Sequence, residues 1–525
     1  MLTNQLTKTL RWVTCVSLGL AVSLMVIRTW NWPLVNDASQ LHYACFLIDH
    51  GMVPYRDLLE MNMPGAYLLN WSVMHTLGGG AVAWRVFDLS LVFAAAVAMI
   101  AIAWPADWLG GMLGAALFML YHGRDGAGQQ GQRDLAIAVL LLAAYAFLFY
   151  ALRRNKAWPM AAFGVCAGMA ATIKPTPLPF AILLLAAAAF ELKRRRQAVS
   201  APVFAGLGGM LLSLGILAAV LFREHALGAF WVVVRQELPY YAGLGRNSMG
   251  YLAEWWMSSS VIALVILTAA ITIARRDWRH FEGAALLAGV AFGAMSYFAQ
   301  GKGFPYHRYP FLAFVMLWAG IEITAALRER GVVRGLGYAG LIFAALILPF
   351  LYVARASRIE WRQDFIHSLQ GDLNALGGSS LSGHVQCLYT IAECDTTLYR
   401  MQLVQSTGLF YDFLIFGPRQ NPVIEQNREK FWQELQSNPP QVFVVGAELY
   451  PWGPENFGKL GLWPEFDQFL RDNYRVYDQR RFRPGEPGPL DYRIYVAKEG
   501  SQVWARNHVP KRPGERMLVA ASRAD

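Results

Sequence analysis

Charge is what this chain has least of. Asp, Glu, Lys and Arg make up only 16% of its 525 residues, against about 25% in ordinary soluble domains. That deficit argues against a soluble protein of this size. The formal net charge of +10 calls for no nucleic-acid partner, because the basic residues fall in short runs between apolar blocks. Cysteine is scarce, five residues in all, which excludes a disulfide scaffold. No C-x-x-C pattern marks a zinc centre. No glycine-rich loop joins a strand to a helix, so a nucleotide-sugar site is not expected. No internal repeat is evident and the apolar blocks are largely clean of ionisable residues, both of which argue against a transporter.

What is present in abundance is apolar and aromatic: 55% hydrophobic residues, with 18 Trp and 30 Phe. Most come in blocks of about 17–22, the length that crosses a bilayer core of about 30 Å as a helix, while the block at 108–121 is short and Gly-rich. The blocks predict about eleven transmembrane helices, near 12–30, 82–103, 108–121, 135–151, 158–173, 176–191, 202–222, 257–274, 282–299, 310–327 and 335–353. The first follows Lys8 and Arg11 but is followed by RTWNWP rather than a small-residue cleavage site, so it reads as an uncleaved span. Four basic loops, LRRNKAW (152–158), ELKRRRQ (191–197), ARRDWRH (274–280) and LRERGVVR (327–334), all fall on one side if the N-terminus is cytoplasmic. The same parity puts 31–81, 122–134, 223–256, 300–309 and everything after about 354 outside. A bacterial inner membrane is the expected location.

Beyond residue 355 charge rises and the pattern changes. Strand-like runs HVQCLYTI (384–391), QVFVVGA (441–447) and DYRIYVA (491–497) alternate with helix-like NREKFWQELQ (427–436) and PEFDQFLRDN (464–473). The expected organisation is a transmembrane domain over 1–354, an extracytoplasmic α/β domain over 355–499, and a basic, loose tail over 500–525. Cys387 and Cys394 stand seven apart and could pair in an oxidising compartment or remain two thiols. A lid or acceptor-docking role is the expectation for this domain.

The first outer segment carries the most chemistry. NDASQLHYACFLIDHG (36–51) puts Leu41, Ala44, Cys45 and Ile48 on one face, and AYLLNWSVMHTL (66–77) puts Tyr67, Trp71 and Met74 on another. Both predict helices lying in the membrane interface. Between them GMVPYRDLLEMNMPG (51–65) supplies Arg56, Asp57 and Glu60. Arg56 and Asp57 read either as a solvated turn pair or as groups that orient substrate.

An Asp directly after the first span, then a helix, then G-x-x-P-Y-R-D…P-G, resembles the polytopic GT-C glycosyltransferases, which include the protein O-mannosyltransferases and the lipid A aminoarabinose transferases. The resemblance covers roughly 10–350 and is nearest to bacterial members that use polyprenyl-phosphate sugars. It implies an extracytoplasmic site, an inverting transfer, and a lipid-phosphate-linked donor. Several relatives carry E-K-P-P where this chain has Glu60-Met61-Asn62-Met63-Pro64, so the lysine that would face the donor phosphate is missing there.

Such a transfer needs one base, since the departing phosphate is already a stable anion; glycosidases need a second, protonated carboxyl. The resemblance makes Asp37 the candidate base, although an Asp there also suits the cap of a helix beginning at Ala38. It likewise points to an acid in YHGRDGAGQQGQRD (121–134), with Asp134 first and Asp125 as the fallback; a helix cap is again the plainer reading. QGKGFPYHRYP (300–310) gathers Lys302, His307 and Arg308, which could meet the charge developing on a phosphate or could anchor the span end at the interface. Relatives carry similar K-x-x-x-Y-H stretches. Lys174 in TIKPTP (172–177) is a further phosphate candidate. Asp37 with Asp134 could hold a divalent cation, Mg or Mn, through oxygen ligands.

The expected reaction is sugar transfer from a polyprenyl-phosphate carrier to an extracytoplasmic acceptor, be it a cell-envelope glycan, a lipid or a protein. The rivals are a flippase for lipid-linked saccharides, a non-catalytic envelope assembly factor, and a ligase that consumes diphosphate-linked oligosaccharide.

Overall fold

The computed structural model describes residues 2–356, 364–389, 393–418, 420–451, 453, 456–482 and 491–501. From residue 502 the expected tail lies outside them, as does the end of the strand expected over 384–391. The chain divides into two compact units, Met1–Cys45 with Met61–Arg362, and Phe46–Glu60 with Gln363–Asp525.

The first unit is helical because its apolar runs leave backbone groups no partner in lipid except one another. Each of the eleven predicted segments falls on helical structure, to within two residues at either end. Among the described residues seven helices are long and apolar enough to cross a membrane: Thr9–Thr29, Ala81–Ala103, Arg133–Arg154, Ser200–Arg223, Phe281–Gln300, Pro305–Ala326 and Val332–Ala356. An eighth is added if Met249–Trp256 and Ser259–Arg275, bent by 80° at their junction, form one span. The segments predicted at 108–121, 158–173 and 176–191 are helices of 18, 17 and 18 residues, about 27 Å at most.

Tyr309–Ala326 runs through the core of this unit with almost every residue buried. Small residues allow the close approaches: Gly320 faces Gly110 and Gly114, and Gly164 faces Gly206 and Gly209, the packing expected where hydrophobicity itself does not drive helices together.

The basic loops meet at one end of this helical unit. Arg11 and Arg328 both bind Asp107 (2.7 and 2.9 Å), Arg153 binds Glu282 (2.6 Å), Arg275 binds Glu322 (2.6 Å), and Arg195 donates to the Leu152 carbonyl (3.2 Å).

Two expectations need correction. The spans are not clean: Ala81–Ala103 carries Arg85 and Asp88, both buried. They are tolerated because they pair with each other and with His122, so neither charge is left bare in an apolar setting. Nor does Asp37–Asp49 lie with one face on an interface. Leu41 through Leu47 are all buried, the polar His42 included, whose ring packs edge-on to Trp84 at 5.0 Å. Protein encloses the polar side as well as the apolar one.

The second unit is a small mixed sheet covered by helices. Strands β1 (Val385–Leu388), β2 (Val442–Gly446), β3 (Tyr474–Arg480) and β4 (Tyr492–Ala497) lie in the order β1-β2-β4-β3. The β1–β2 pair is parallel and the rest antiparallel. β3 was not foreseen; its sequence YRVYDQR is mostly exposed, as an edge strand can be. Helices Pro422–Ser437 and Pro464–Asn473 stand where predicted. Cys387 and Cys394 form a disulfide with their Cα atoms 6.1 Å apart. Buried Lys459 donates to Asp412 (2.6 Å) and to the carbonyls of Leu388 and Glu448 (2.8 and 3.2 Å).

Candidate active site

The site is assembled in the first unit from helix starts and short loops. Asn36 takes a left-handed turn (φ 54°) and the next helix begins at Asp37 itself. Among the described residues the one side-chain partner of Asp37 is Arg133, 2.7 Å away, so the carboxylate serves that guanidinium rather than capping a helix. Asp37 and Arg133 remain 31% and 23% exposed in their side chains.

Asp134 follows Arg133 in the first turn of Arg133–Arg154, where negative charge suits the helix dipole. It is buried, and both its oxygens lie 2.8 Å from the Lys174 ammonium. Lys174 also donates to Gln300 Oε1 at 2.8 Å. Burial pushes the Lys174 ammonium below the ordinary lysine range, and Asp134 works against that shift. Tyr306 and His307 complete the group. Asp37, Arg133 and Asp134 act electrostatically on Tyr306, and Lys174, Arg133 and Lys302 on His307. His307 is buried, and its Nδ1 has no hydrogen-bond partner among the described residues.

The loop leading into Arg133 is pinned from below. The Gly131 N–H donates to Asp88 Oδ1 at 2.6 Å. Gly131 itself is required, since its φ is +59° and a Cβ there would run into the Trp84 ring. Asp88 also binds Arg85 and His122 Nε2 (3.0 Å), and His122 Nδ1 meets the Tyr309 hydroxyl at 2.5 Å. Arg85 in turn reaches Thr29 and lies 4.4 Å over the Trp32 ring.

The remaining candidates are placed otherwise. Lys302 donates to the Tyr241 carbonyl at 2.7 Å and to that of Leu244, with its ammonium 4.1 Å over the Tyr241 ring. Burial, then Arg246, pushes its pKa down to about 8. Arg308 binds Asp125 (3.0 Å) and the carbonyls of Pro305 and Trp255 (3.0 and 3.2 Å), so two candidates pair with each other as a brace.

Arg56, Asp57 and Glu60 belong to the second unit. Arg56 grips Asp57 with two contacts of 3.0 and 2.9 Å, and Asp57 also accepts the Val53 N–H at 2.9 Å, which is the turn-pair reading. Burial opposes the Asp57 charge, but Arg56 and the Val53 N–H hold the carboxyl below its usual range. Glu60 is buried and accepts from the Tyr411 hydroxyl at 3.1 Å. This segment is stitched to its unit by Leu59 N–H to Gly408 O (2.9 Å) and Lys430 to Arg56 O (2.8 Å). Gly408 lies so close to the Asp57 carbonyl that a Cβ would overlap it.

As a cation site the pair Asp37 and Asp134 does not fit. Each carboxylate is already neutralised, by Arg133 and Lys174, and among the described residues no three His, Cys, Asp or Glu side chains converge on one point.

Sequence reasoning missed Arg133, Gln300 and the Arg85–Asp88–His122 chain, and Tyr306 and Tyr309 entered it only as members of the 300–310 loop. An Arg-x-x-Asp pair inside an apolar block was the one local signal for that chain.

No protein-family model matches the chain, and no curated protein sequence does. Solved structures do. ArnT from Cupriavidus metallidurans in the apo state matches with a TM-score of 0.55 at 12% identity, over 92% of this chain and 97% of that one. The same protein bound to undecaprenyl phosphate gives 0.53 at 11%, over 93% and 98%. The archaeal oligosaccharyltransferase AglB from Archaeoglobus fulgidus, in complex with an inhibitory peptide and a dolichol-phosphate, gives 0.52 at 11%, over 95% and 75%. The chain has the fold of the GT-C membrane glycosyltransferases.

Proposed function

We propose that the chain is an inverting glycosyltransferase that moves a sugar from a polyprenyl-phosphate carrier to an extracytoplasmic acceptor. The observation that carries this reading is the cluster of Asp37, Arg133, Asp134, Lys174 and His307 on a GT-C fold. Solved proteins of that fold hold undecaprenyl phosphate and dolichol-phosphate, which supports a donor of the same kind here. The end of the helical unit with the basic loops is the cytoplasmic one, and the cluster opens on the other side.

In the reaction the acceptor hydroxyl gives its proton to the Asp37 carboxylate as its oxygen bonds to the sugar's anomeric carbon. The bond from that carbon to the phosphate oxygen breaks, and polyprenyl phosphate leaves as the anion. Arg133 is the pivot of the scheme. It neutralises Asp37 in the resting protein, and the incoming phosphate competes for it, which frees the carboxylate to act as base. The open Nδ1 of His307 faces the same charge, and Lys174, its hydrogen bonds spent on Asp134 and Gln300, adds only the field of its positive charge. This moves the phosphate role away from Lys302 and Arg308, whose donors are held by carbonyls and by Asp125.

The test uses purified protein in liposomes with a panel of polyprenyl-phosphate sugars and a cell-envelope extract as acceptor. Mass spectrometry follows free polyprenyl phosphate. Release by the wild type and not by Asp37→Asn supports the reading. No discharge of any donor, together with lipid crossing the bilayer faster than in empty liposomes, replaces it with a flippase.

A further inference from the structure

The second unit carries a groove of about 590 Å³ that the transfer chemistry does not use, within the size range of small-molecule sites. One wall is a single face of Pro422–Ser437, where Glu425, Glu429, Trp432 and Gln433 recur at helical spacing. The other is the start of Pro464–Asn473, with Trp463 and Glu465.

Its floor is built rather than incidental. Arg428 is buried and donates to the carbonyls of Ile415 (2.8 Å), Gly417 (3.3 Å) and Leu462 (3.0 Å), and to Glu425 (3.0 Å). Its guanidinium lies 5.2 Å from the Trp463 ring centre. Trp432 is half-buried, wedged against Trp463 (5.9 Å) and Phe469 (5.0 Å), which fixes the ring while leaving part of it open.

We infer that this groove is a saccharide-binding subsite for a neutral or amine-bearing sugar unit. A rigid tryptophan offers a flat apolar face to the C–H face of a pyranose at little entropic cost. The exposed Glu429, Glu465 and Gln433 around it accept or share hydrogen bonds with hydroxyls and amines. Three carboxylates against one guanidinium leave the lining negative, which rejects phosphorylated or uronic sugars. The walls are helices and present no free strand edge for a peptide backbone to extend, so a saccharide suits the groove better than a peptide. Its use as a dock for the acceptor glycan rests on the transferase reading; binding itself does not.

Titration calorimetry on the full chain in detergent would use four probes: a glucosamine tetramer, an isomaltotetraose, a trigalacturonate and a Lys-rich decapeptide. Heat is expected with the first two and not with the acid. Trp432→Ala should weaken binding about tenfold, the order of a lost aromatic contact of about 1.4 kcal/mol. Glu429→Gln, a milder change that keeps the helix, should weaken the glucosamine tetramer more than the isomaltotetraose. Asp37→Asn should bind as the wild type does, so a failure of transfer and a failure of this subsite are told apart. Absence of saccharide binding, equal binding by Trp432→Ala with its fold intact, or binding of the peptide alone overturns the inference.

Discussion

Replacing Asp37 by Asn tests the proposed base most sharply, because the structure separates its effect on rate from its effect on folding. The Asp37–Arg133 pair is partly exposed, 31% and 23% at the two side chains. Pairs of this kind contribute about 0–1 kcal/mol to stability, and Asn can still accept a hydrogen bond from Arg133. The melting temperature should therefore move little. The rate should not be spared. A well-placed general base is worth about 10²–10⁴ in rate, or about 2.7–5.4 kcal/mol of barrier at 1.36 kcal/mol per tenfold. Asn cannot take the acceptor's proton, so kcat should fall by that factor. The donor KM should stay level or drop, since Arg133 no longer has a competing carboxylate and is freer to meet phosphate. Steady-state release of polyprenyl phosphate in liposomes at several donor concentrations gives both constants. Asp37→Glu should recover part of the rate. A kcat within threefold of wild type would remove Asp37 as the base. Loss of the folded protein would mean that Asp37 has a structural task the geometry does not reveal.

Other perturbations are expected to behave differently. Asp134→Asn leaves the half-buried Lys174 ammonium with Gln300 alone, and removing one partner of a partly buried charged hydrogen bond costs about 1–3 kcal/mol; thermal unfolding should show a loss of that order, with Asp134→Asn plus Lys174→Met recovering much of it and neither restoring transfer. Asp88→Asn weakens the hold on Gly131 and on His122 while leaving Asp37 untouched, so hydrogen exchange should rise over 126–132 and kcat should fall with the donor KM little changed; protection equal to wild type would contradict the pinning role. Lys302 titrates at about 8 in the fold and at about 10.4 when unfolded. Between those values the unfolded chain holds more protons, so this group makes the fold more stable as pH rises through that window, and below 8 its buried charge is a cost. The melting temperature of Lys302→Met relative to wild type should accordingly decline from pH 7 to pH 9, and a constant difference would refute the depressed pKa.

The legible parts of this protein were those in which the signal is local. Apolar blocks such as Arg133–Arg154 and Ser200–Arg223 declare helices by length alone, since a bilayer leaves no other way to satisfy the backbone. The basic loops announced a common end, where Arg153, Arg275 and Arg328 are joined by acids from neighbouring segments and Arg195 by the Leu152 carbonyl. A continuous apolar run was enough for β2 and an aromatic, β-branched run for β4, but β3 escaped because an exposed edge strand has no buried face to pattern. The helix Asp37–Asp49 looked amphipathic because hydropathy cannot tell a polar face turned to water from one turned to Trp84.

The site was legible only residue by residue. Asp37, Asp134, Lys174 and His307 could each be singled out by type and position, while their partners could not. Arg133 reaches Asp37 across 96 residues of sequence, Lys174 reaches Asp134 across 40, and Gln300 reaches Lys174 across 126. Such pairings follow from how helix ends are brought together, which depends on close helix contacts such as those at Gly110, Gly164 and Gly320. Sequence alone determined that the chain is a membrane-spanning helical protein with its basic loops gathered at one end, because hydrophobic length and charge bias are properties of segments. Only the tertiary structure decided that Lys302 and Arg308 serve as braces while Arg133 and Lys174 hold the carboxylates, because which cation faces which anion is a property of packing.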